Sequence, residues 1–338
     1  MNNKNFSIAL QDWYDQNKRD LPWRNTTDPY KIWLSEIILQ QTRVRQGLPY
    51  YQEFLYHFPS IEDLAIASEE DILRIWQGLG YYSRARNLHA CAREITLNRN
   101  GLFPDNYKDL LTLKGVGSYT AAAIASFAFK EVVAVIDGNV VRVLSRVFGI
   151  ESDINTPKGK KHFTEKANEL LDINNSDKYN QAIMEFGALQ CMPIPKCPTC
   201  IYQTSCFAYK HNLQKVLPHK AKKIKKKERH FFYFVLEYRD MIFMKKRTGK
   251  DIWEGLYDFY LVEESLPKEL NSLQDQFIKN LVAKNYEIEE HPYLYQHKLT
   301  HQKIIARFYH IKINDDKLAI EILNFANFTL YKLEEILL

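Results

Sequence analysis

The chain has 338 residues, of which 46% are hydrophobic and 26% charged, a composition typical of globular proteins and long enough for two domains. Its formal net charge of +5 permits nucleic-acid binding without requiring it. The sequence has neither an apolar run of about eighteen residues nor a signal-like N-terminus. We therefore expect no membrane span and no secretion.

The first 214 residues are dominated by helical periodicity, and strand-like alternation is scarce. Near the start, the stretch Leu21-Pro22-Trp23-Arg24 predicts a turn. Two interpretations of this turn remain open. The tryptophan is either packed under the proline, or it lines a base pocket together with the arginine.

Residues 30–45 predict one helix with two apolar faces and a narrow polar stripe of Glu36, Gln40 and Arg43. The stripe is compatible with plain exposure to solvent. The alternative is that Glu36 faces a cleft with apolar walls, which would raise its pKa because burial disfavours the ionised form. A carboxyl group that is protonated near neutral pH is suited to general acid catalysis.

The stretch Gly78–Arg86 contains a leucine between two glycines, then two tyrosines and two arginines. Apolar or aromatic tips of this kind are typical of segments that push into a base stack. The alternative is a loop whose aromatic side chains pack inward.

A helix, a tight hairpin and a second helix are predicted around Leu113–Thr120. Gly115 and Gly117 allow a close turn, and backbone N–H groups at the start of the second helix favour an anion such as a phosphate. A Gly-x-Gly pattern by itself is weak evidence, since most such patterns are only turns.

The apolar run Val132–Ile136 ends at Asp137, and a helical pattern begins at Val140. Asp137 is therefore either the N-cap of that helix or a half-buried carboxylate that faces a bound nucleic acid. The hairpin and Asp137 together suggest a protein that holds a nucleic-acid backbone and presents an acid to it.

Four of the five cysteines lie within 16 residues, a spacing that indicates metal ligation in a reducing compartment rather than disulfides. They are Cys191, Cys197, Cys200 and Cys206. Structural zinc sites usually use two close pairs of ligands, and here only one close pair exists. The spacing therefore favours an iron–sulfur cluster over zinc.

The pattern changes after a lysine-rich stretch, residues 215–229, which predicts a basic linker. From residue 230 the sequence predicts an α/β domain. The predicted strands are 231–238 and 241–247, joined at Arg239-Asp240, then 256–262, 293–299 and 303–313, with a helix at 273–282. The loop Thr300-His301-Gln302 lies between the last two strands.

Together these motifs resemble the adenine DNA glycosylases (MutY type) of the endonuclease III-like helix-hairpin-helix superfamily. The quoted motifs are Leu21–Arg24, Trp33–Thr42, Gly78–Tyr82, the Gly-Val-Gly hairpin, Ile136–Val140 and the four cysteines. The family usually has six residues between its first two cysteines, whereas this chain has five.

The resemblance implies a fold class of α plus α/β in several domains. Residues 1–214 would form an all-α helix-hairpin-helix glycosylase domain with a four-iron four-sulfur cluster, residues 215–229 a basic linker, and residues 230–338 a Nudix-like α/β domain. The implied activity is hydrolytic removal of adenine mispaired with 8-oxoguanine or guanine. The implied partner is double-stranded DNA with such a mispair, bound by a monomer in the bacterial cytoplasm.

The resemblance also assigns roles to residues. Glu36 resembles the general acid that protonates the departing adenine, and Asp137 the carboxylate that stabilises the sugar cation. Asn139 resembles a residue that supports the site, and Tyr119 one that lines it. The positions matched around the flipped adenine are Leu21, Trp23, Arg24 and Gln181. Those matched beside the opposite base are Gln41, Leu79, Tyr81, Thr300 and His301. Gly115 and Gly117 match the phosphate hairpin, and the four cysteines match the cluster ligands.

Three other functions fit the sequence less well. A bifunctional glycosylase/lyase of the endonuclease III type, acting on damaged pyrimidines, carries a lysine where this chain has Tyr119, which cannot form a Schiff base. A Nudix hydrolase needs a glutamate-rich helix that residues 266–282 lack. A non-catalytic iron–sulfur DNA sensor would leave Glu36 and Asp137 without a role.

Overall fold

The computed structural model describes residues 3–219, 226–284, 286–291, 294–299, 301–326 and 328–332. The chain divides into two compact units, residues 1–221 and 222–338. The described part of the first unit has helices and no strands, as its periodicity predicts, whereas the second unit combines a sheet with helices. No described helix is both long and apolar enough to cross a membrane.

The helices of the first unit follow one another with short connections. They are α1 (Asn3–Asn17), α2 (Pro29–Ile38), α3 (Val44–His57), α4 (Ile61–Ile66), α5 (Glu69–Trp76), α6 (Ser83–Arg99), α7 (Tyr107–Leu110), α8 (Ser118–Phe129), α9 (Gly138–Phe148), α10 (Pro157–Leu170), α11 (Ser176–Leu189) and α12 (Phe207–Lys210). Short 3-10 turns lie at Pro22–Arg24 and Cys197–Thr199.

The two ends of the first unit share one core. Helix α1 packs on α10 and α11, and α9 packs on α11 and α12. Phe6 of α1 stacks on Tyr202, with ring centroids 4.7 Å apart, and the Tyr202 hydroxyl donates to the Phe6 carbonyl at 2.8 Å. Each fully buried aromatic side chain of this kind contributes about 1.5–3 kcal/mol. The N-terminal helix therefore stabilises the segment that carries the cysteines.

The prediction of one helix over residues 30–45 is wrong. Helix α2 ends at Ile38, and α3 begins only at Val44. Between them Gln41 has a left-handed backbone, with φ of 56°. The sequence periodicity gives no sign of this break, because the backbone carbonyls that the helix end leaves without helical partners are bound by Arg84, a residue of another helix. Arg43 consequently lies outside α2, and the predicted polar stripe does not exist as one helix face.

The second unit is built on one sheet whose central strand is the longest. Its strands are β1 (Lys227–Tyr238), β2 (Met241–Lys246), β3 (Tyr257–Asp258), β4 (Tyr260–Glu264), β5 (Ile288–Glu290), β6 (Tyr295–Lys298), β7 (Gln302–Lys312) and β8 (Thr329–Lys332). Strand β1 is parallel to β7 and antiparallel to β2 and β4. Strands β5 and β6 both pair antiparallel with β7.

Both faces of β1 are covered. Phe232, Phe234 and Leu236 point to a core shared with α13 (Gln276–Ala283) and α14 (Asp316–Ala326). The intervening Phe231 and Tyr233 point to a second cluster on the opposite face. Because successive strand side chains alternate between faces, a nearly continuous aromatic run is what a strand buried on both sides requires.

The predicted turn at Arg239-Asp240 is confirmed, since both residues have left-handed backbones with φ of 47° and 62°. Other boundaries differ from the prediction. Strand β1 begins at Lys227, so the end of the predicted linker is strand. The predicted strand 256–262 is two strands, β3 and β4, which pair with β2 and β1 respectively. The alternation of apolar and polar residues in the sequence does not show that this segment changes its partner strand within seven residues.

The hairpin glycine Gly115 should tolerate no side chain. Its φ is 79°, and an added Cβ would lie 2.8 Å from the Asn87 Cβ. We expect Gly115→Ala to lower the free energy of unfolding by about 1–3 kcal/mol. Gly138→Ala is the matched control, because its added Cβ would meet nothing within 4 Å. Urea denaturation followed by far-UV circular dichroism measures both, and equal midpoints for the two variants would contradict the argument.

Candidate active site

Two helices bring the predicted acid and its partner together. Glu36 lies on α2 within seven consecutive buried residues, 32–38, and is itself only 6% exposed. Tyr119 is the second residue of α8, directly behind the hairpin. The Tyr119 hydroxyl donates a hydrogen bond of 2.5 Å to Glu36 Oε2. Of the two interpretations of the polar stripe, the structure therefore supports a buried carboxyl group for Glu36.

Burial governs the protonation of this pair. It raises the pKa of Glu36 from 4.5 to about 7; the hydrogen bond from Tyr119 opposes the shift, the charge of Asp137 adds to it, and the charge of Arg24 opposes it. Burial also raises the pKa of Tyr119 well above 10, and the neighbouring carboxylates raise it further. Tyr119 therefore stays protonated and donates, while Glu36 is able to gain or lose a proton near neutral pH.

Asp137 caps helix α9, and so the N-cap interpretation is confirmed. Its Oδ1 accepts from the Val140 N–H at 2.7 Å, and its Oδ2 accepts from the Asn139 side chain at 2.7 Å. Burial raises the pKa of Asp137, but these hydrogen bonds oppose the shift because they favour the ionised form. The cap does not exclude a catalytic role, because the electrostatics of the carboxylate also act on Glu36.

Asn139 is held in turn by Arg142. The Arg142 Nη2 donates to Asn139 Oδ1 and to the Gly187 carbonyl, both at 2.7 Å, and its Nε donates to the Cys191 carbonyl at 2.7 Å. Gly187 lies against Asn139 so closely that an added Cβ would be 2.6 Å from the Asn139 Cβ. Contacts to α11 and to the first cysteine therefore fix the side chain that supports Asp137.

The sequence did not reveal Glu185, the ion-pair partner of Arg24. Its side chain is 1% exposed, and both Arg19 and Arg24 bind it with two hydrogen bonds each, at 2.5–3.0 Å. Burial alone would raise its pKa, but these bonds hold the pKa of Glu185 at about 2. The available signal was a carboxylate within the apolar pattern of α11, four residues after Gln181.

The other residues predicted for the adenine pocket are close in the chain to Arg24 or Glu185. Leu21 and Trp23 precede Arg24, and Gln181 lies on α11 with Glu185. Trp23 is buried and packs edge-to-face on Tyr51, with centroids 5.1 Å apart. Leu21 is buried as well. Gln181 accepts a 2.6 Å hydrogen bond from the Tyr14 hydroxyl.

The predicted wedge residues lie in two turns. Gln41 is exposed in the turn after α2. Leu79 is only 7% exposed, whereas Tyr81 is 46% exposed in a left-handed conformation with φ of 50°. The loop thus presents a tyrosine at the surface and keeps its leucine inside. Gly117 is the N-cap of α8, and no side-chain hydrogen bond occupies that cap.

The four clustered cysteines line one small cavity together with Arg146. They are free thiols, and Cys191 is buried while the other three are half-buried. Arg146 is 4% exposed and donates to the carbonyls of Met192 and Pro193 at 2.6 and 3.0 Å and to the Cys191 sulfur at 3.6 Å. Its guanidinium thereby shapes the loop that carries the thiols.

In the second unit, His301 is exposed in the turn between β6 and β7. Its carbonyl accepts from the Lys227 N–H at 3.1 Å, and the turn closes through a 2.8 Å bond from the Leu299 N–H to the Gln302 carbonyl. Thr300, predicted beside it, lies outside the described residues.

The chain is similar in sequence to proteins of known activity. A family model described as HhH-GPD superfamily base excision DNA repair protein matches residues 34–171. The chain is 37% identical over 259 residues to the adenine DNA glycosylase of Buchnera aphidicola subsp. Baizongia pistaciae (strain Bp), an alignment covering 75% of this chain and 73% of that protein. It is 44% identical over 214 residues to the adenine DNA glycosylase of Mus musculus, covering 60% and 42%.

Two solved structures are similar to part of this chain. A thermostable thymine-DNA glycosylase has a TM-score of 0.58 at 33% identity, and the match covers 62% of this chain and 97% of that one. A non-covalent endonuclease III–DNA complex has a TM-score of 0.55 at 18% identity, covering 64% and 100%. The latter likeness shows the fold alone.

We expect the Glu36 carboxyl to titrate near pH 7 rather than near 4.5. Tyr119→Phe should raise its pKa further, because the lost hydrogen bond favours the ionised form. NMR of protein with carboxyl-¹³C-labelled glutamate measures the titration, and the spectrum of Glu36→Gln assigns the signal. A Glu36 signal that titrates with the exposed glutamates would contradict the effect of burial.

Proposed function

We propose that this chain, which belongs to the adenine DNA glycosylases of the HhH-GPD superfamily, removes adenine that is mispaired with 8-oxoguanine or guanine. As a base excision repair glycosylase it hydrolyses the N-glycosidic bond of adenine. The observation that carries our assignment of the site is the buried Glu36–Tyr119 pair, with Asp137 close enough to raise the pKa of Glu36.

Cleavage of an N-glycosidic bond needs a proton for the departing base and negative charge near the sugar. Glu36 is protonated in a large fraction of molecules at neutral pH and donates its proton to a ring nitrogen of adenine. Asp137, whose ionised form is favoured by hydrogen bonds from the Val140 N–H and Asn139 although burial raises its pKa, stabilises the positive charge that develops on the sugar. Two carboxyl groups in different environments thus take different roles, as in glycoside hydrolysis.

The adenine pocket is proposed to consist of Leu21, Trp23, Arg24 and Gln181. Glu185 supports this pocket, since it anchors Arg24 through two hydrogen bonds while Arg24 acts electrostatically on Glu36. A rigid pocket matters because a base that leaves the stack pays a few kcal/mol for unstacking and unpairing. The pocket must compensate for that loss.

DNA contacts come from the hairpin and from the wedge. The backbone N–H groups of Gly115 and Gly117, at the N-terminus of α8, suit a phosphate. Gln41, Leu79 and Tyr81 would fill the gap that the flipped adenine leaves in the duplex. Tyr119 stands where a lyase has its lysine, so we propose a monofunctional enzyme that removes the base from the sugar and leaves the DNA strand intact.

The first test uses a duplex with one adenine opposite 8-oxoguanine or guanine. Wild-type protein should release free adenine and leave abasic sites that break only after alkali. Glu36→Gln should lose at least 10²-fold in the excision rate, since general acid catalysis contributes about 10²–10⁴-fold, while its binding to the duplex persists. The wild-type rate should fall as pH rises through about 7, because Glu36 must be protonated.

Two results would count against this assignment. Excision by Glu36→Gln at close to the wild-type rate would remove Glu36 from the mechanism. Efficient strand cleavage before alkali, with a protein–DNA adduct trapped by borohydride, would favour the bifunctional glycosylase/lyase instead.

A four-iron four-sulfur cluster is the cofactor we propose for Cys191, Cys197, Cys200 and Cys206. The donor set fits, because four free thiols line one cavity and thiolates are the usual ligands of such clusters. Among the described residues no three potential ligands are arranged around a single ion. The preference for a cluster over zinc rests on the spacing of the cysteines, in which only one close pair exists.

The purified protein should be brown and contain about four iron atoms per chain if the cluster assignment holds. Cys197→Ala should lose the visible absorbance and loosen the segment after α11, which limited proteolysis would detect. Cys91→Ala is the control, because Cys91 is a fully buried core residue far outside the cysteine loop. One zinc and no iron per chain would overturn the assignment.

The Nudix-like second unit is proposed to recognise the opposite base. 8-Oxoguanine differs from guanine by a carbonyl and an N–H group in the major groove, and polar side chains such as Thr300 and His301 are able to pair with them. The exposed position of His301 at the β6–β7 turn supports this role. Each good base contact contributes about 1–3 kcal/mol of discrimination.

We expect a double variant, Thr300→Ala with His301→Ala, to reduce the preference for 8-oxoguanine over guanine while adenine excision continues. His297→Ala is the control, since it removes another exposed histidine from the same hairpin. Single-turnover excision rates on duplexes that differ only in the opposite base give the preference. An unchanged ratio in the double variant would return recognition of that base to the wedge residues.

A further inference from the structure

Arg84, the second residue of α6, is a buried cation that the proposed mechanism does not use. It is 9% exposed. Its guanidinium donates to five backbone carbonyls and one hydroxyl, and none of these hydrogen bonds goes to a carboxylate. Burial lowers the pKa of Arg84 to about 10, so the group still carries its charge at neutral pH. Removing a charge from water is costly unless hydrogen bonds compensate for it, so the acceptors around Arg84 must provide that compensation.

One set of contacts closes the end of the acid helix. The Arg84 Nη1 donates to the carbonyls of Ile37, Ile38 and Gln40 at 3.1, 2.9 and 2.6 Å. These carbonyls follow Glu36 directly and lie where a helix leaves its acceptors unsatisfied and carries partial negative charge. A cation there both satisfies the acceptors and fixes the turn that contains Gln41.

The other set of contacts holds the tyrosine loop. The Arg84 Nη2 donates to the carbonyls of Leu79 and Gly80, each at 3.3 Å. The guanidinium carbon lies 5.0 Å from the ring centre of Trp76 and 5.6 Å from that of Tyr81. Cation–π contacts within about 6 Å are attractive, and more so when water is excluded. One side chain therefore contacts both turns that carry wedge residues.

Both turns contain a strained residue beside these carbonyls. Gln41 and Tyr81 have φ values of 56° and 50°, in the left-handed region that L-residues rarely adopt. Such conformations cost about 1–3 kcal/mol each and persist only when surrounding contacts enforce them. In both turns the enforcing carbonyls belong to residues directly before the strained one, and Arg84 binds them.

We propose that Arg84 is a positioning residue that joins the Gln41 turn and the Leu79–Tyr81 loop into one rigid wedge and fixes that wedge to the end of the Glu36 helix. The inference rests on the proposed role of these turns in filling the duplex after base flipping. Lysine cannot replace arginine here, because a single ammonium has three donors at one point, whereas the planar guanidinium reaches both turns at once.

The proposed role of Arg84 predicts different effects on two steps, the opening of the base pair and the cleavage of the glycosidic bond. Loss of Arg84 should impair the opening of a base pair, which needs the wedge, and leave the proton transfer from Glu36 nearly intact. A generally misfolded enzyme would lose both. Adenine opposite an abasic analogue separates them, because no base pair has to be opened and no opposite base has to be displaced.

The experiment compares Arg84→Lys and Arg84→Met with wild type in single-turnover excision. We expect at least a tenfold loss on an adenine–guanine duplex, less than a threefold loss when an abasic analogue faces the adenine, and an unchanged pH dependence. Arg93→Met is the matched control, the same substitution at an exposed position of the same helix. Thr42→Val removes the hydroxyl that accepts from Arg84 at 3.3 Å and donates to the Gln40 carbonyl at 3.4 Å in the same turn, and it should shift the ratio in the same direction.

Equal losses on both duplexes, or no loss on either, would overturn the inference. If the Arg84 variants do not fold, Thr42→Val decides by the same ratio. A duplex with 2-aminopurine at the target position reports unstacking by fluorescence whether or not a bond is cut. Weaker unstacking by the Arg84 variants than by the wild-type protein therefore supports the wedge role, and equal unstacking rejects it. If the wild-type protein unstacks the target base but releases no adenine from the adenine duplex, only the proposed function is rejected.

Discussion

Burying the carboxyl group of Glu36 disfavours its ionised form, and the rest of the catalytic unit depends on how that constraint is met. Tyr119, 83 residues later in the chain, supplies the hydrogen bond that keeps the pKa near neutrality instead of higher. Asp137 acts in the opposite direction through its charge. The acid therefore has its useful pKa only when α2, the hairpin helix α8 and the start of α9 are packed together.

The local signals in the sequence were sufficient for elements whose cause is local. The hairpin, the Asp137 cap and the Arg239-Asp240 turn each follow from backbone requirements of the residues themselves. The end of α2 and the pairing of Glu185 with two arginines were not predictable, because distant side chains determine them. A carboxylate within an apolar helix pattern gives the same sequence signal whether it faces solvent or a buried guanidinium.

Arginines that bind backbone carbonyls recur at three places where the described part of the first unit leaves regular structure. Arg84 holds the two wedge turns, Arg142 holds the end of α11 against Asn139, and Arg146 holds the loop that carries the cysteines. The fork of donors on each guanidinium satisfies several acceptors that no helix or strand would satisfy. Irregular backbone near the chemistry is thereby as fixed as the helices around it, which suits sites that require precise placement.

The contact between Gly187 and Asn139 limits which residues position 187 tolerates. Gly187 lies in α11, outside every motif that identifies the family, yet any larger residue there must displace Asn139. A missense change at this codon would disturb the support of Asp137 from a position outside the Gly115–Gly117 hairpin. Under the role proposed for Asp137, such a change would lower the rate of adenine excision more than the amount of folded protein.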